Sequence, residues 1–486
     1  MEFIKKHKNI LLIVVLFAIL YSFISLVNHY YFRTYALDLG LYTNALYDYI
    51  HLQWNDSSVF KITEENLLAD HFDLYLILFS PLSLFFGSYT LLIVQIAAIL
   101  LGGIGVYLFF KEVKQQDAVA LFAATYFYAF FGVLAAVSFD YHSNVVATAL
   151  IPWLFLSVAG RKMFNASIVL LLIIVSKENI SLWLAFICIG LSVEYRNDRY
   201  RRTYLVSASV ICMLVFVFIT SYFMPFISNN GHYPHFEYGY LGSTASEAFV
   251  HLVSHPIESI KALFTNHIDD PNGNYVKAEL HILLLVSGLP FLSKKPHFFL
   301  MLLPIYVQKL FHDNYIMWGI DAQYSVEFAP IMAIGIFMVI AEIKTARTQL
   351  VVSSIVLLFV IASTIRIMDN TACFTDKARI RFYQKGHYQK DYDIGSAHEQ
   401  LSKIPKDAKV SALSPFVPHL ALRETIYQFP IIKNADYIVY SRKENTYPLS
   451  KEVFTQKVDS LEKSIDFEVL YDDGITILKR KYPIVN

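Results

Sequence analysis

The sequence predicts an all-α polytopic membrane protein with about eleven transmembrane helices, followed by a small C-terminal α/β domain outside the membrane. Three observations carry this. The composition is strongly apolar, the apolar residues come in membrane-length runs, and the chain changes character abruptly after residue 366. Of the 486 residues 56% are hydrophobic and 16% charged, against about 25% charged in a soluble chain. Lys+Arg and Asp+Glu stand at 40 each, a balance that gives no nucleic acid or other polyanion a reason to bind. The 33 Tyr and 39 Phe gather where apolar runs meet polar segments, as interfacial belts do. Cys188, Cys212 and Cys373 form no disulfide or metal spacing.

Taken in order, the runs cover residues 9–27, 88–110, 118–137, 144–160, 164–176, 180–193, 203–224, 279–293, 296–311, 326–343 and 349–366. The first follows Lys5, Lys6 and Lys8 but is long and lacks a small-residue cleavage site, so it reads as an uncleaved helix. With the N-terminus in the cytoplasm, the loops KEVK (111–114), RKMF (161–164), EYRNDRYRR (194–202), SKKPH (293–297) and EIKTAR (342–347) all fall inside, the positive-inside pattern. That holds only if LYLILFSPLSLFF (74–86) does not cross; it is short and carries Pro81, so it reads as re-entrant or interfacial. The expected location is the cell (inner) membrane, with the C-terminal domain extracytoplasmic. The opposite loops are rich in Asp, His, Tyr and Asn and poor in Lys and Arg, which puts the polar chemistry on the external face.

Residues 1–366 are thus expected to form the transmembrane domain and 367–486 the soluble one. In the latter, AKVSAL (408–413), ADYIVY (435–440), FEVLYDD (467–473) and GITILKR (474–480) read as strands, with a hairpin turn at DDG.

Several polar groups on the external side are candidates for chemistry. Asp38, in YALDLGLYTNALYDYI, precedes an amphipathic segment suited to the outer interface; it is a carboxylate for a lipid-linked substrate or an N-cap. His71, in LADHFD between Asp70 and Asp73, is a metal or phosphate contact or a solvated helix start. Asp140 and His142, in SFDYHSN, orient one another or cap the next helix through Ser143 or Asn144. Lys177 and Glu178 interrupt an apolar stretch from Phe164 to Val193. Ionisable groups at that depth are costly and face a cavity or a partner; here they either receive an anionic head group or neutralise each other. Tyr324 and Glu327, in DAQYSVEFAP, open another helix, where Glu also complements the dipole. His255-Pro256 starts an external amphipathic helix of structural character. No Walker loop or Gly-x-Gly-x-x-Gly follows a strand, so a nucleotide energy source is not supported.

These segments resemble, in order, the motifs of the domain-of-unknown-function family 2079. YALDLGLYTNALYD is similar to its FDLGIFDQALW, LADHFDLYLILFSPL to HFSPLLLLLAPL, SFDYHSNVVATALIPWLF to FDFHPLALAPLLL and VSKENISLWLAFICIGL to VKEDAALLLAGLGL. QYSVEFAPIMA is a weaker match to RYHAPLVPFLA. The chain departs from that pattern at Asn179, where the family has an acid, at Ser143, where it has Pro, and at Gln323, where it has Arg. The family is similar to the GT-C membrane glycosyltransferases, which take sugars from polyprenyl-phosphate donors on the external leaflet. The resemblance therefore implies a GT-C-like fold and an inverting glycosyltransferase. Asp38 stands at the position of the acidic residue of the first external loop that in those enzymes is the catalytic base or a metal contact. Lys177 and His71, or a divalent cation (Mg or Mn), would offset charge on the leaving phosphate. The partners implied are the polyprenyl-phosphate sugar, an acceptor of unknown identity and the bilayer. The rival reading is a transporter or lipid flippase, for which a polar path to midplane and internal repeats are expected; a structural membrane protein comes third. On the transferase reading, Asp38, His71, His142, Lys177 and Glu178 should converge on one external pocket.

Overall fold

The computed structural model describes residues 7–57, 59, 63, 65–373 and 376–482; Lys5 and Lys6, which contribute to the inside placement of the N-terminus, lie outside the described residues. Every one of the eleven apolar runs is helical. The helices are α1 (Lys8–Tyr30), α2 (Leu41–Ile50), α3 (Thr90–Leu108), α4 (Asp117–Ala129), α5 (Phe131–Val137), α6 (Ser143–Ala159), α7 (Met163–Ile174), α8 (Ile180–Glu194) and α9 (Arg199–Phe218). They continue with α10 (Ala245–Ser254), α11 (Pro256–Ala262), α12 (Val276–Val286), α13 (His297–Leu310), α14 (Phe328–Ala341) and α15 (Ala346–Ile367).

By length and composition, four helical stretches can cross a bilayer: Lys8–Tyr30, Tyr75–Val113, Arg199–Ile227 and Ala346–Ile367. A fifth is available if α4 and α5, bent by 47° at Phe130, make one span. Helices α6, α7, α8, α13 and α14 are apolar but only 10–17 residues long, short of the roughly 20 that hydrocarbon requires. Length and composition therefore support four or five crossings, and the about eleven expected from the sequence are not established on these grounds. Part of the apolar character has another cause. Helix α14 is buried along nearly its whole length, so its side chains answer to packing inside the protein rather than to lipid.

The lipid-facing helices show the opposite pattern. On α9, Leu205, Ala208 and Cys212 are buried while Val206, Val210, Leu214 and Val217 are exposed. On α1, Ile10, Phe17, Tyr21 and Ile24 pack inward while Leu12, Val15, Leu16 and Ile19 are exposed. Apolar faces of that extent are stable only when lipid covers them.

Segment 74–86 folds as two short turns, Tyr75–Phe79 and Ser83–Phe86, joined through Pro81. Gly87 at φ +56° separates it from α3. Drawn straight, the 39 residues of Tyr75–Val113 would reach about 58 Å, twice the hydrocarbon thickness. Tyr75 and Leu76 pack with Leu41, Tyr42 and Leu46 of α2, leaving Leu84 and Phe85 exposed. Helix α11 starts at Pro256 as read from the sequence, with Ile257 and Ile260 exposed.

Beyond α15 lies a five-stranded sheet made of β1 (Val410–Ala412), β2 (Ile426–Gln428), β3 (Tyr437–Tyr440), β4 (Phe467–Asp473) and β5 (Ile475–Arg480). Its order is β2-β1-β3-β5-β4, with β1 parallel to both β2 and β3 and β5 antiparallel to β3 and β4. Gly474 makes the β4–β5 turn at φ +79°, where a Cβ would also lie 2.4 Å from Tyr392 Cβ. Strand β2, as short as β1 at three residues, was not read from the sequence. The sheet's helical cover, with Phe416, Val417 and Leu420, shares one core with Phe32, Leu39 and Leu46. The segment carrying Asp38 is thus held between the helical bundle and the sheet.

Candidate functional site

After α1 the chain reverses at Phe32, φ +53°, runs extended through Tyr35, and forms a wide π-type turn over Ala36–Gly40. Such turns leave backbone groups short of partners inside the helix and recur at functional sites. Here the partners come from elsewhere. Tyr35 N donates to Asp140 Oδ2 at 2.8 Å and Ala36 N to Ser414 Oγ at 3.1 Å. Gly40 has φ −62°, open to any residue; it is required by space, because a Cβ there would sit 2.8 Å from Val417 Cγ1.

Within this turn the Asp38 carboxylate caps nothing: α2 begins without a side-chain cap. Its Oδ1 lies 3.2 Å from His142 Nε2, and the side chain is 29% exposed. His142 is fixed from three directions. Its backbone N donates to Gln95 Oε1 at 2.9 Å, its Nδ1 lies 3.2 Å from the Asp140 carbonyl, and its ring meets that of Tyr42 edge-on. Burial alone would raise the Asp38 carboxyl; the charge and hydrogen bond of His142, with His71 and Arg379 behind it, outweigh that and hold the group below the usual carboxylate range.

Lys177 and Glu178, between α7 and α8, do not pair with each other. Glu178, 2% exposed, accepts from His71 Nδ1 at 3.3 Å and from Phe72 N at 3.1 Å. Burial would raise this carboxyl too, but the charge and hydrogen bond of His71, then Lys177, draw it down. The half-buried Lys177 ammonium makes no hydrogen bond or ion pair among the described residues; its charge acts at a distance on His71, Asp73, Glu178 and His235. It is a cation held near carboxylates with its donors still available.

Around this pair the 228–239 segment folds over. Glu65 accepts from Asn229 N at 2.8 Å, Asp313 from Gly239 N at 2.7 Å, and His235 stacks on His71 with centroids 4.3 Å apart. His235 Nε2 also lies 3.3 Å from Asp70 Oδ1. Among the described residues, Asp70, His71 and His235 gather donor atoms closely enough to hold a metal ion, all within 4.8 Å of one another.

The remaining wall comes from the segment before α14. Glu327 Oε1 accepts from Asn144 Nδ2 at 2.6 Å. Tyr324 is positioned from beneath by Lys309, whose buried Nζ donates to the carbonyls of Met317, Gly319 and Tyr324 at 2.5–2.9 Å. Burial pushes the Tyr324 phenol up to about 12, the Asp38 charge adding to it. Buried Tyr42 is likewise raised, by burial and then by Asp38, Asp70, Asp73 and Glu178 together, which puts Asp38 and Glu178 on the same side of the bundle.

Asp140 stands behind this assembly. It is 0% exposed, with Oδ1 taken by Arg379 NH2 at 2.7 Å and Oδ2 by Tyr35 N. The Arg379 guanidinium also lies over the Phe139 ring at 4.4 Å. Arg379 comes from beyond the last apolar run and His235 from the segment between α9 and α10. Neither carries a motif in the sequence, and only the folded chain brings them in.

The sequence profile of a family described as "Predicted membrane protein (DUF2079)" matches residues 28–464. No curated protein matches the chain. Among solved structures it is similar to ArnT from Cupriavidus metallidurans bound to undecaprenyl phosphate, with TM-score 0.53, 11% identity, and 97% of this chain and 98% of that one covered. At that identity the likeness is one of fold, the GT-C fold, over nearly the full length of both chains.

Proposed function

The chain belongs to the DUF2079 family of predicted membrane proteins, and from that premise we propose that it is a membrane glycosyltransferase. It would move a sugar from a polyprenyl-phosphate donor to an acceptor on the external face of the membrane. The observation that carries this reading is the Asp38 carboxylate, oriented by His142, ionised, part-exposed, and on the same side of the bundle as Glu178, beside which Lys177 makes no hydrogen bond or ion pair among the described residues. The bound undecaprenyl phosphate of the ArnT structure supports the donor class.

In the proposed reaction Asp38 takes the proton from an acceptor hydroxyl as its oxygen attacks the anomeric carbon. The bond from that carbon to the phosphate oxygen breaks with inversion, and the electron pair leaves with the polyprenyl phosphate. Lys177 and His71, or a divalent cation such as Mg or Mn, would offset the charge that develops there. Tyr324 and Glu327 flank the sugar side, and Asp140 acts through the backbone of Tyr35 as a positioning residue. The site takes its donor from the outer leaflet, with the N-terminus cytoplasmic and residues 367–486 extracytoplasmic. The test is to incubate the purified chain with a panel of polyprenyl-phosphate sugars and follow release of the polyprenyl phosphate. Release with at least one donor is expected; none with any donor counts against the proposal.

A further inference from the structure

We infer that Asp70, His71 and His235 form a binding site for a zinc-class cation, with Glu178 as the outer partner that orients His71. The site joins two parts of the chain far apart in sequence: the loop before Tyr75 and the segment between α9 and α10. Its chemistry follows from the donors. Two imidazoles and one carboxylate make a mixed nitrogen–oxygen set of the kind that suits zinc and neighbouring transition ions, whereas Mg and Mn prefer oxygen alone.

The geometry fits that assignment. One donor atom from each residue lies within 4.8 Å of the other two. Donors about 2.0–2.2 Å from a tetrahedral ion lie roughly 3.3–3.6 Å apart, so small side-chain rotations close the set. The two imidazole rings are stacked at 16° between planes; His235 Nε2 lies 2.7 Å from the Asp70 carbonyl and 3.3 Å from Asp70 Oδ1, contacts the ring exchanges for the ion as it turns toward it. Glu178 Oε1 sits 3.3 Å from His71 Nδ1. A carboxylate that accepts from Nδ1 fixes the tautomer and leaves Nε2 as the ligand atom, the carboxylate–histidine–metal arrangement that protein sites use. The three side chains are 20–32% exposed, so an ion can enter. Three protein ligands leave a fourth position open to water or an anionic oxygen. The mechanical consequence is that the ion clamps the 228–239 segment, otherwise latched by Glu65 and Asp313, over the Lys177–Glu178 corner.

The test needs no assumption about sugar transfer, so its outcome is distinguishable from the fate of that proposal. The full chain, purified in detergent with a histidine-free affinity tag, is stripped with chelator. It is then re-exposed to zinc, Mg or Mn, desalted and analysed for metal, with melting temperature in parallel. About one zinc per chain and a zinc-dependent rise in melting temperature are expected. His71→Ala and His235→Ala should retain at least tenfold less zinc, and Glu178→Gln should weaken zinc binding by about 10–100-fold. His232→Ala, exposed and bonded only to the Asn230 carbonyl among the described residues, should behave as wild type. Should the ligand variants misfold, cobalt-loaded wild type serves instead: intense four-coordinate Co(II) bands are expected, and a weak octahedral spectrum overturns the site. It is also overturned by wild type that holds under a tenth of a zinc per chain, by equal zinc in all variants, or by Mg or Mn displacing zinc.

Discussion

Replacing Arg379 by Met removes the guanidinium bonded to the Asp140 carboxylate while keeping an unbranched stem in place. The consequence can be worked out from the contacts. Asp140 is 0% exposed and Arg379 5%, so no water replaces the lost 2.7 Å hydrogen bond. The carboxylate is left buried with Tyr35 N as its remaining donor. Breaking one side of such a pair costs about 3–5 kcal/mol, whereas replacing both sides can be nearly neutral. Loss of the stack on Phe139, 4.4 Å from the guanidinium, adds roughly 0.5–2 kcal/mol. Arg379→Met should therefore lower the apparent melting temperature markedly, and Asp140→Asn should do so too. The Asp140→Asn/Arg379→Met double variant should be more stable than the sum of the single losses implies. The assay is thermal unfolding of the three variants in one detergent at one scan rate, because a chain of this size reports a rate as well as an equilibrium. Single variants that melt with wild type, or a double variant that falls by the full sum, would refute the reasoning.

Three further outcomes follow from the site. His142→Gln removes the main influence that lowers the Asp38 carboxyl and leaves burial, which raises it. The acid limb of kcat/KM should lie below the usual carboxylate range in wild type and move to higher pH in the variant; a limb that stays put would exclude the His142 contact as its cause. Gly40→Ala places a Cβ 2.8 Å from Val417 Cγ1, an overpacking worth about 1–3 kcal/mol. Stability and turnover should fall together and recover in Gly40→Ala/Val417→Ala, and no recovery would mean that another contact controls the turn. Lys177→Met should reduce transfer while leaving the melting temperature near wild type, since no hydrogen bond or ion pair of Lys177 is lost among the described residues; a large stability loss would assign Lys177 a structural role instead.

What was legible in the sequence was local. The eleven apolar runs are helices because apolar periodicity needs only neighbours, and strands β1, β3, β4 and β5 were readable from alternation and the DDG turn for the same reason. The number of crossings was not legible, because a helix such as α14, buried by protein, has the same composition as one buried by lipid. In the site, Asp38, His71, His142, Lys177 and Glu178 stood out as polar groups at the ends of apolar runs. Their partners did not. Asp38 meets His142 at a separation of 104 in the numbering, and Lys177, for which adjacency left a pair with Glu178 open, does not pair with it, because His71 and Phe72 N take both carboxylate oxygens. Arg379 and His235 lie in segments without motif or periodicity, and tertiary folding alone delivers them.

The central claim is that Asp38 acts as a base, and one comparison addresses it most directly: turnover and melting temperature of Asp38→Asn beside wild type, on a polyprenyl-phosphate sugar that the wild type accepts. The substitution keeps the size and one hydrogen-bonding oxygen but removes the basic one. Because Asp38 caps no helix, the melting temperature should stay near that of wild type, while loss of a general base lowers turnover by about 10²–10⁴. A stable Asp38→Asn protein that transfers sugar at close to the wild-type rate would contradict the account.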